Sequence, residues 1–324
     1  MILVTGATGH LGFVLIRELI KQGNKDISAL VLPDDQSTIL DDFDIEVFKG
    51  DICDYDSLLT AFNEVDTVYH LAGKVSIKDY DPELKKVNLD GTKNVIQACL
   101  KKEVKKLIYT STVHVFVPER FQVVNEKTPI IVSNLKGEYS KTKAAATLEV
   151  RKARDKGLKT VIVYPSGLLG PFDFRISPMT RMVIDHLKGR LVCSVEGSYD
   201  FVDVRDAARG IIKAAQLDKN NEYILSGLDI SIKSIFKILD SLKKPYFKSF
   251  NLPLWVARMG VPFSDSYSKV TGCQNILTKY ALDTLSSKMK FSNKKAKREL
   301  NFKTRSIERT INDTFKWFKK QGLI

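Results

Sequence analysis

Tyr139-Ser-Lys-Thr-Lys143 sets a phenol and an ammonium four residues apart. On a helix, residues at that spacing share a face and lie side by side. A free phenol titrates near ~10, too high for ready proton exchange at neutral pH. A neighbouring cation favours the phenolate and lowers that pKa. Tyr139 and Lys143 are therefore the candidate acid–base pair, and of the eleven Tyr residues only Tyr139 has Lys four positions later. In so Lys-rich a chain the spacing alone arises by chance. Its weight comes from its place on the helix after a strand that ends in Thr110-Ser111-Thr112. One of those hydroxyls can bond the same substrate oxygen as Tyr139, although strands also favour Thr for its shape. His114 is read as a pocket residue or a structural one, and Asn88 as a backbone anchor near the site or a solvent-facing residue.

Phosphate binding is the second chemistry, carried by Thr5-Gly-Ala-Thr-Gly-His-Leu-Gly12. An apolar run precedes it, and a helical pattern through Phe13, Leu15, Ile16, Leu19 and Ile20 follows. Strand, glycine turn and helix bring free N–H groups and the positive helix end to one point, as a dinucleotide pyrophosphate requires. Gly6 permits the tight turn, Gly9 the close approach of phosphate and Gly12 close helix packing, with Thr8, His10 and Leu11 completing the loop. The spacing is one residue longer than the commonest fingerprint. Asp51, after the third strand, is placed to accept from an adenine amino group with Ile52 against the ring; taken alone it reads as a turn residue. Leu71-Ala72-Gly73 ends the fourth strand, where small residues admit a ligand, and His70 before it is read as structural. The second strand ends Ala29-Leu-Val-Leu-Pro-Asp-Asp35 without Arg or Lys. Asp34 or Asp35 at that tip tilts the expectation from NADP towards NAD.

An open parallel sheet binds ligands outside the carboxyl ends of its strands, and these candidate residues fall just after strands. Short apolar runs at residues 2–4, 27–31, 45–48, 67–70, 106–110 and 160–164 alternate with helical patterns, notably 82–100 and 139–156. Right-handed crossovers then give an α/β, doubly wound parallel sheet of the Rossmann type. The rhythm breaks over 171–200, resumes with a helix at 204–217, a strand at 222–225 and a helix at 231–242, and breaks again from Pro245 to Lys279 with Pro253, Pro262 and Gly272. The expected division is a dinucleotide-binding domain of 1–170 and 201–244 and a smaller, discontinuous substrate lobe of 171–200 and 245–324. Phe172, Phe174, Met179, Phe247, Trp255 and Phe263 in those irregular stretches suit an apolar pocket or, for most of them, the lobe's own core.

At 324 residues and 44% hydrophobic, the chain can bury a full core. A net charge of +13 raises nucleic-acid binding, but the Lys residues are dispersed and no basic–aromatic interleaving occurs. A solvated surface without a nucleic-acid partner is the expectation. No apolar run approaches the ~20 residues of a membrane span, and a strand pattern opening at the second residue leaves no signal peptide. Cys53, Cys99, Cys193 and Cys273 show no metal spacing, nor do the four His. The expectation is a cytoplasmic protein with reduced thiols, no metal and no membrane partner. Helical stripes over 136–148 and 87–100 would suit a homodimer, though they also suit ordinary packing.

TGATGHLG, GDICD, VYHLAG, VNLDGTKN, LIYTSTVHVF, EYSKTKAAAT, YPSGLLGP and FVDVRDAARG occur in that order. Together they resemble the extended short-chain dehydrogenase/reductases, the NAD-dependent epimerase/dehydratase family. The resemblance implies that Tyr139 is the acid–base residue, that Lys143 anchors the nicotinamide ribose and that Thr112, with Ser111 as fallback, holds the substrate oxygen. It also sets Thr110, Tyr164, Pro165, Ser166 and Gly167 against the cofactor, and Val113, His114 and Phe172 towards the substrate. Pro165-Ser-Gly-Leu-Leu-Gly-Pro171 looks like the dihydroflavonol-reductase-like and 3β-hydroxysteroid-dehydrogenase-like branch. Sugar-nucleotide epimerases usually have Asn at the place of Ser166. Two positions depart from the branch: Leu32 stands where its NADPH-dependent reductases often have Arg, and Val117 replaces a common Gly. The implied activity is NAD(P)-dependent interconversion of an alcohol and a carbonyl on a small molecule. The rivals are a sugar-nucleotide epimerase or dehydratase and a non-catalytic dinucleotide sensor.

Overall fold

The computed structural model describes residues 1–76, 80–117, 123–191, 193–243, 250–271, 277–287 and 289–324; Phe247 and Cys273 fall outside them. The first half alternates β1 (Ile2–Thr5), α1 (His10–Lys21), β2 (Ile27–Val31), β3 (Glu46–Lys49), α2 (Tyr55–Ala61), β4 (Thr67–His70), α3 (Gly91–Lys101), β5 (Lys106–Thr110), the short β6 (Val123–Val124), α4 (Glu138–Lys152) and β7 (Lys159–Pro165). There follow β8 (Gly167–Leu169), α5 (Pro178–Leu187), β9 (Cys193–Val195), β10 (Ser198–Asp203), α6 (Val204–Gln216), β11 (Asn221–Leu225), β12 (Leu228–Ser231) and α7 (Ile232–Leu242). The remainder is β13 (Phe250–Leu252), α8 (Leu254–Thr271), α9 (Lys279–Ser286), β14 (Lys290–Phe291), α10 (Lys294–Leu300) and α11 (Ile307–Lys320).

Seven parallel strands in the order β11-β7-β5-β4-β1-β2-β3 form the main sheet, the doubly wound architecture the sequence implies. The winding reverses between β1 and β4, which opens a crevice at the carboxyl ends of those strands. Val4, Ala29, Ile108 and Val163 pack with α1 and α6 on one face. Leu3, Leu30, Leu107 and Ile162 pack with α2, α3 and α4 on the other. Burial on both faces explains why these strands read as unbroken apolar runs. Their observed limits lie within a residue of the sequence expectation.

Two helices differ from expectation. The pattern over 82–100 begins as a π-helical turn, Lys85–Asp90, before α3. Such turns often sit at functional sites, and this one carries Asn88. The stretch from Pro245 was expected to be irregular, yet it holds the 18-residue α8. Pro253 immediately precedes that helix, where a missing N–H costs nothing. Pro262 lies inside it but is exposed, so the carbonyl it leaves unpaired can meet water.

A third apolar cluster joins α5, α7 and α11 through Met182, Leu187, Ile235, Phe236, Ile311 and Phe318. Phe172, Phe174 and Met179 pack against it, whereas Trp255 and Phe263 are exposed. Helix α7 thus shares its core with α5 and α11, while Ala296, Leu300 and Phe302 pack on the main sheet. Asp203 binds α11 to the start of α6. Its carboxylate caps α6 by accepting from the Arg205 amide at 2.8 Å, takes the Arg205 guanidinium at 2.6 and 2.9 Å, and accepts from Thr310 at 2.8 Å. Among the described residues, no helix is long and apolar enough to cross a membrane.

Candidate active site

The loop after β1 fits a diphosphate. Gly6 has φ +72°, and a Cβ there would stand 2.6 Å from the Ala72 amide nitrogen. A Cβ on Gly12 would stand 2.1 Å from the Gly6 carbonyl oxygen. Gly9 is the N-cap of α1, and among the described residues no side chain caps it. The first amides of α1 therefore face the crevice without a side-chain acceptor, beside the positive helix end. Across the crevice, a Cβ on Gly73 would meet Asn88 Oδ1 at 3.1 Å and Lys143 Nζ at 3.9 Å. Asn88 is a backbone anchor: its Oδ1 accepts from the Lys74 amide at 2.8 Å and its Nδ2 donates to the Lys74 carbonyl at 3.0 Å. His70 is locked between Thr5 at 2.8 Å and Thr92 at 3.1 Å, and burial pulls its pKa down to about 3.

Helix α4 carries Tyr139 and Lys143 to the end of β5. Lys143 Nζ donates to the Thr110 carbonyl at 2.7 Å and lies 4.4 Å from the Tyr109 ring centre. Burial pulls the ammonium down to about 7. For Tyr139, burial pushes the phenol up, the nearby Tyr280 adds to the rise, and a hydrogen bond with Thr112 opposes it. The lowering by Lys143 that the four-residue spacing suggests is not seen: the ammonium is turned to the Thr110 carbonyl, and burial decides the shift of the phenol. Ser111 is engaged elsewhere. Its hydroxyl lies 2.7 Å from that of Thr147, which donates to the Lys143 carbonyl at 2.7 Å.

Two further residues at the site carry no sequence signal of their own. Tyr199 OH lies 2.6 Å from His114 Nε2, and the two rings stack at 5.5 Å. Tyr280 OH lies 3.0 Å from Ser140 Oγ. Its ring passes over Gly137, where a Cβ would fall 2.4 Å from ring carbon Cδ2. The His114 ring stands edge-on to Tyr139 at 6.2 Å, and burial lowers its pKa to about 4.

One cavity of about 760 Å³ takes in most of these groups. Gly6, Gly9, His10, Leu11, Gly12, Leu71, Gly73 and Asn88 line one part; Thr110, Thr112, His114, Tyr139, Lys143 and Pro165, Ser166 and Gly167 line the middle. Beyond Tyr139 the wall is largely apolar, with Met179, Met182, Leu252, Phe263, Leu282 and Leu285.

Seven expected residues stand off this lining, each for a visible reason. Tyr164 turns to the helix layer, donating to Glu222 at 2.6 Å and packing on Phe116. Val113 is fully buried in the second core. Phe172 packs on Phe13 and Trp317 beneath the Arg17 guanidinium. Ile52 packs against Gly91, and Asp51 accepts from the Cys53 amide at 2.9 Å in a turn. Ala72 lies with its backbone against Gly6. Thr8 spends its hydroxyl on Asp35 at 2.7 Å. Among the described residues, no group of three or more His, Cys, Asp or Glu is placed to hold a metal ion.

The depressed Lys143 pKa has a measurable consequence. Between pH 7 and 10.5 the native chain releases a proton that the unfolded chain keeps. Stability supplied by this group therefore rises with pH across that window. Without added dinucleotide, the melting temperature of Lys143→Met minus that of the wild type should fall from about pH 7 to about pH 10. A difference that stays flat over that range would contradict the buried, depressed ammonium.

Residues 3–257 match the model of the 3-beta hydroxysteroid dehydrogenase/isomerase family. Sterol demethylase protein B of Methylococcus capsulatus is 29% identical, with 99% of each chain covered. Short-chain dehydrogenase/reductase family 42E member 1 of Macaca fascicularis is 27% identical over 99% of this chain and 88% of its own. The crystal structure of gox2253 has TM-score 0.86 at 30% identity, covering 100% of this chain and 99% of that one. Solved sugar-nucleotide epimerases share the fold at 21% identity. The chain belongs to the 3-beta hydroxysteroid dehydrogenase/isomerase family, within the NAD(P)-dependent extended short-chain dehydrogenase/reductases.

Proposed function

We propose that the chain is an NAD(P)-dependent oxidoreductase that interconverts an alcohol and a carbonyl on a bulky, largely apolar small molecule. The observation that carries this reading is that Thr112, Tyr139 and Lys143 line one cavity together with the glycine loop and an apolar wall. Gly6, Gly9 and Gly12 would hold the pyrophosphate, Lys143 the nicotinamide ribose, and the 165–167 segment the ring. The bound dinucleotide supplies or takes the hydride. Tyr139 gives its proton to the carbonyl oxygen in reduction, and Thr112 holds that oxygen. Burial keeps the phenol protonated, the form a proton donor needs. Asn88 fixes the Lys74 backbone beside the ammonium, and Lys143, poised near neutrality, passes a proton onward. The apolar wall supports an apolar substrate, and so does the name of the Methylococcus relative, a sterol demethylase protein.

A panel of apolar ketones and secondary alcohols, assayed with NADH, NADPH and their oxidised forms, tests the reading. The expected result is one mole of nicotinamide converted per mole of product, followed at the nicotinamide absorbance band. An epimerase would give product with no net absorbance change. A sensor would bind dinucleotide and turn over nothing. Either result would replace this proposal.

A further inference from the structure

Arg175 reaches across the mouth of the crevice. It lies between β8 and α5, on the segment that leads to the apolar wall, yet its guanidinium pairs with Asp35 after β2. The same Nη2 donates to Thr8 Oγ1 at 3.1 Å, and Thr8 stands inside the glycine loop. Arg175 therefore lines the same cavity as Gly6, Gly9 and His10. Its backbone is held on both sides. Pro171 accepts at its carbonyl from His10 Nε2 at 3.0 Å, and Asp173 accepts from the Ser177 amide at 2.9 Å.

The partners are crowded. Asp35 Oδ2 takes both Thr8, at 2.7 Å, and Arg175, while Oδ1 takes the Ser37 amide at 3.0 Å. A carboxylate accepts about four hydrogen bonds, so it has little left for the two hydroxyls of an adenosine ribose. The Asp35 side chain is 4% exposed and that of Arg175 is 52% exposed, so the arginine is the partner free to leave. A guanidinium released from Asp35 stays beside the glycine loop, where a diphosphate would lie. A planar fork of donors suits phosphate oxygens.

We propose that Arg175 is an anion clamp that exchanges Asp35 for the diphosphate of the incoming dinucleotide and thereby frees Asp35 for the ribose. The inference rests on the dinucleotide-binding reading above and adds a specific residue from the smaller lobe to it. It also ties cofactor arrival to the segment entering α5, because Ser177, Pro178 and Met179 line the substrate end of the cavity.

Titration of Arg175→Gln and Arg175→Lys with NADH, NADPH, ADP-ribose and adenosine, by fluorescence or calorimetry, tests it. For Arg175→Gln the dissociation constants of NADH, NADPH and ADP-ribose should each rise about tenfold or more. Adenosine, which lacks the diphosphate, should lose no affinity, because Asp35 is already free in that variant, and Arg175→Lys should recover part of the loss for the diphosphate ligands. The guanidinium is half exposed and Asp35 keeps its bonds from Thr8 and the Ser37 amide, so the melting temperature should move little. Unchanged binding of NADH and ADP-ribose would overturn the clamp. A loss confined to NADPH would reassign Arg175 to a 2′-phosphate, and an equal loss for adenosine would make its role structural. A wild-type chain that binds no dinucleotide would sink the underlying reading and the clamp with it.

Discussion

Replacing Tyr139 by Phe is expected to cut turnover by about 10²- to 10⁴-fold and leave dinucleotide affinity within about twofold. The magnitude separates a chemical role from a structural one. A hydroxyl that merely packs against Thr112 contributes about 1 kcal/mol net, roughly fivefold. A lost general acid costs about 3–5 kcal/mol of barrier. Phe keeps the ring that stands edge-on to His114, so the cavity shape is retained. Steady-state turnover and NADH titration on the same preparation make the comparison. Turnover within about fivefold of wild type would assign the phenol to structure alone.

Gly12→Ala is expected to weaken dinucleotide binding by about fivefold or more and to lower the melting temperature. A Cβ there would stand 2.1 Å from the Gly6 carbonyl oxygen, and backbone cannot swing aside as a flexible side chain would. Overpacking of this kind costs about 1–3 kcal/mol, or roughly 5- to 150-fold if all of it falls on binding. Gly9→Ala provides the scale. Its Cβ would meet the same oxygen at 3.2 Å, which a shift of a few tenths of an ångström relieves. The affinities should therefore rank wild type, Gly9→Ala, Gly12→Ala. Equal binding by all three would remove the glycine loop from the cofactor site.

The main sheet was legible because its inner strands are buried on both faces and so appear as short apolar runs such as residues 27–31 and 106–110; only the edge strand β3 is mostly exposed. The glycine loop and the Tyr139–Lys143 spacing are local patterns too, each given weight by its place after a strand, and the structure brings both to one cavity. What the sequence hid depends on residues far apart along it. Arg175 meets Asp35 across 140 positions, and Tyr199 meets His114 across 85. Nothing local announces either pair. Tyr164 was misplaced because its side chain, near the end of β7, is drawn into the helix layer by Glu222 and Phe116, partners far along the chain. Lys143 was expected to govern the Tyr139 phenol. Its burial, a tertiary property, dominates instead. Pro262 suggested a break in α8, and only its exposure explains why the helix continues.

The central claim is that the Tyr139 phenol stands at the carbon that gives or takes the hydride. A crystal structure of the chain with a bound dinucleotide and a carbonyl inhibitor measures this directly. The account predicts the inhibitor's oxygen within hydrogen-bond distance of both Tyr139 and Thr112, and its carbonyl carbon about 3–3.5 Å from the nicotinamide C4. A nicotinamide ring bound away from Tyr139, with the phenol facing protein on every side, would contradict it.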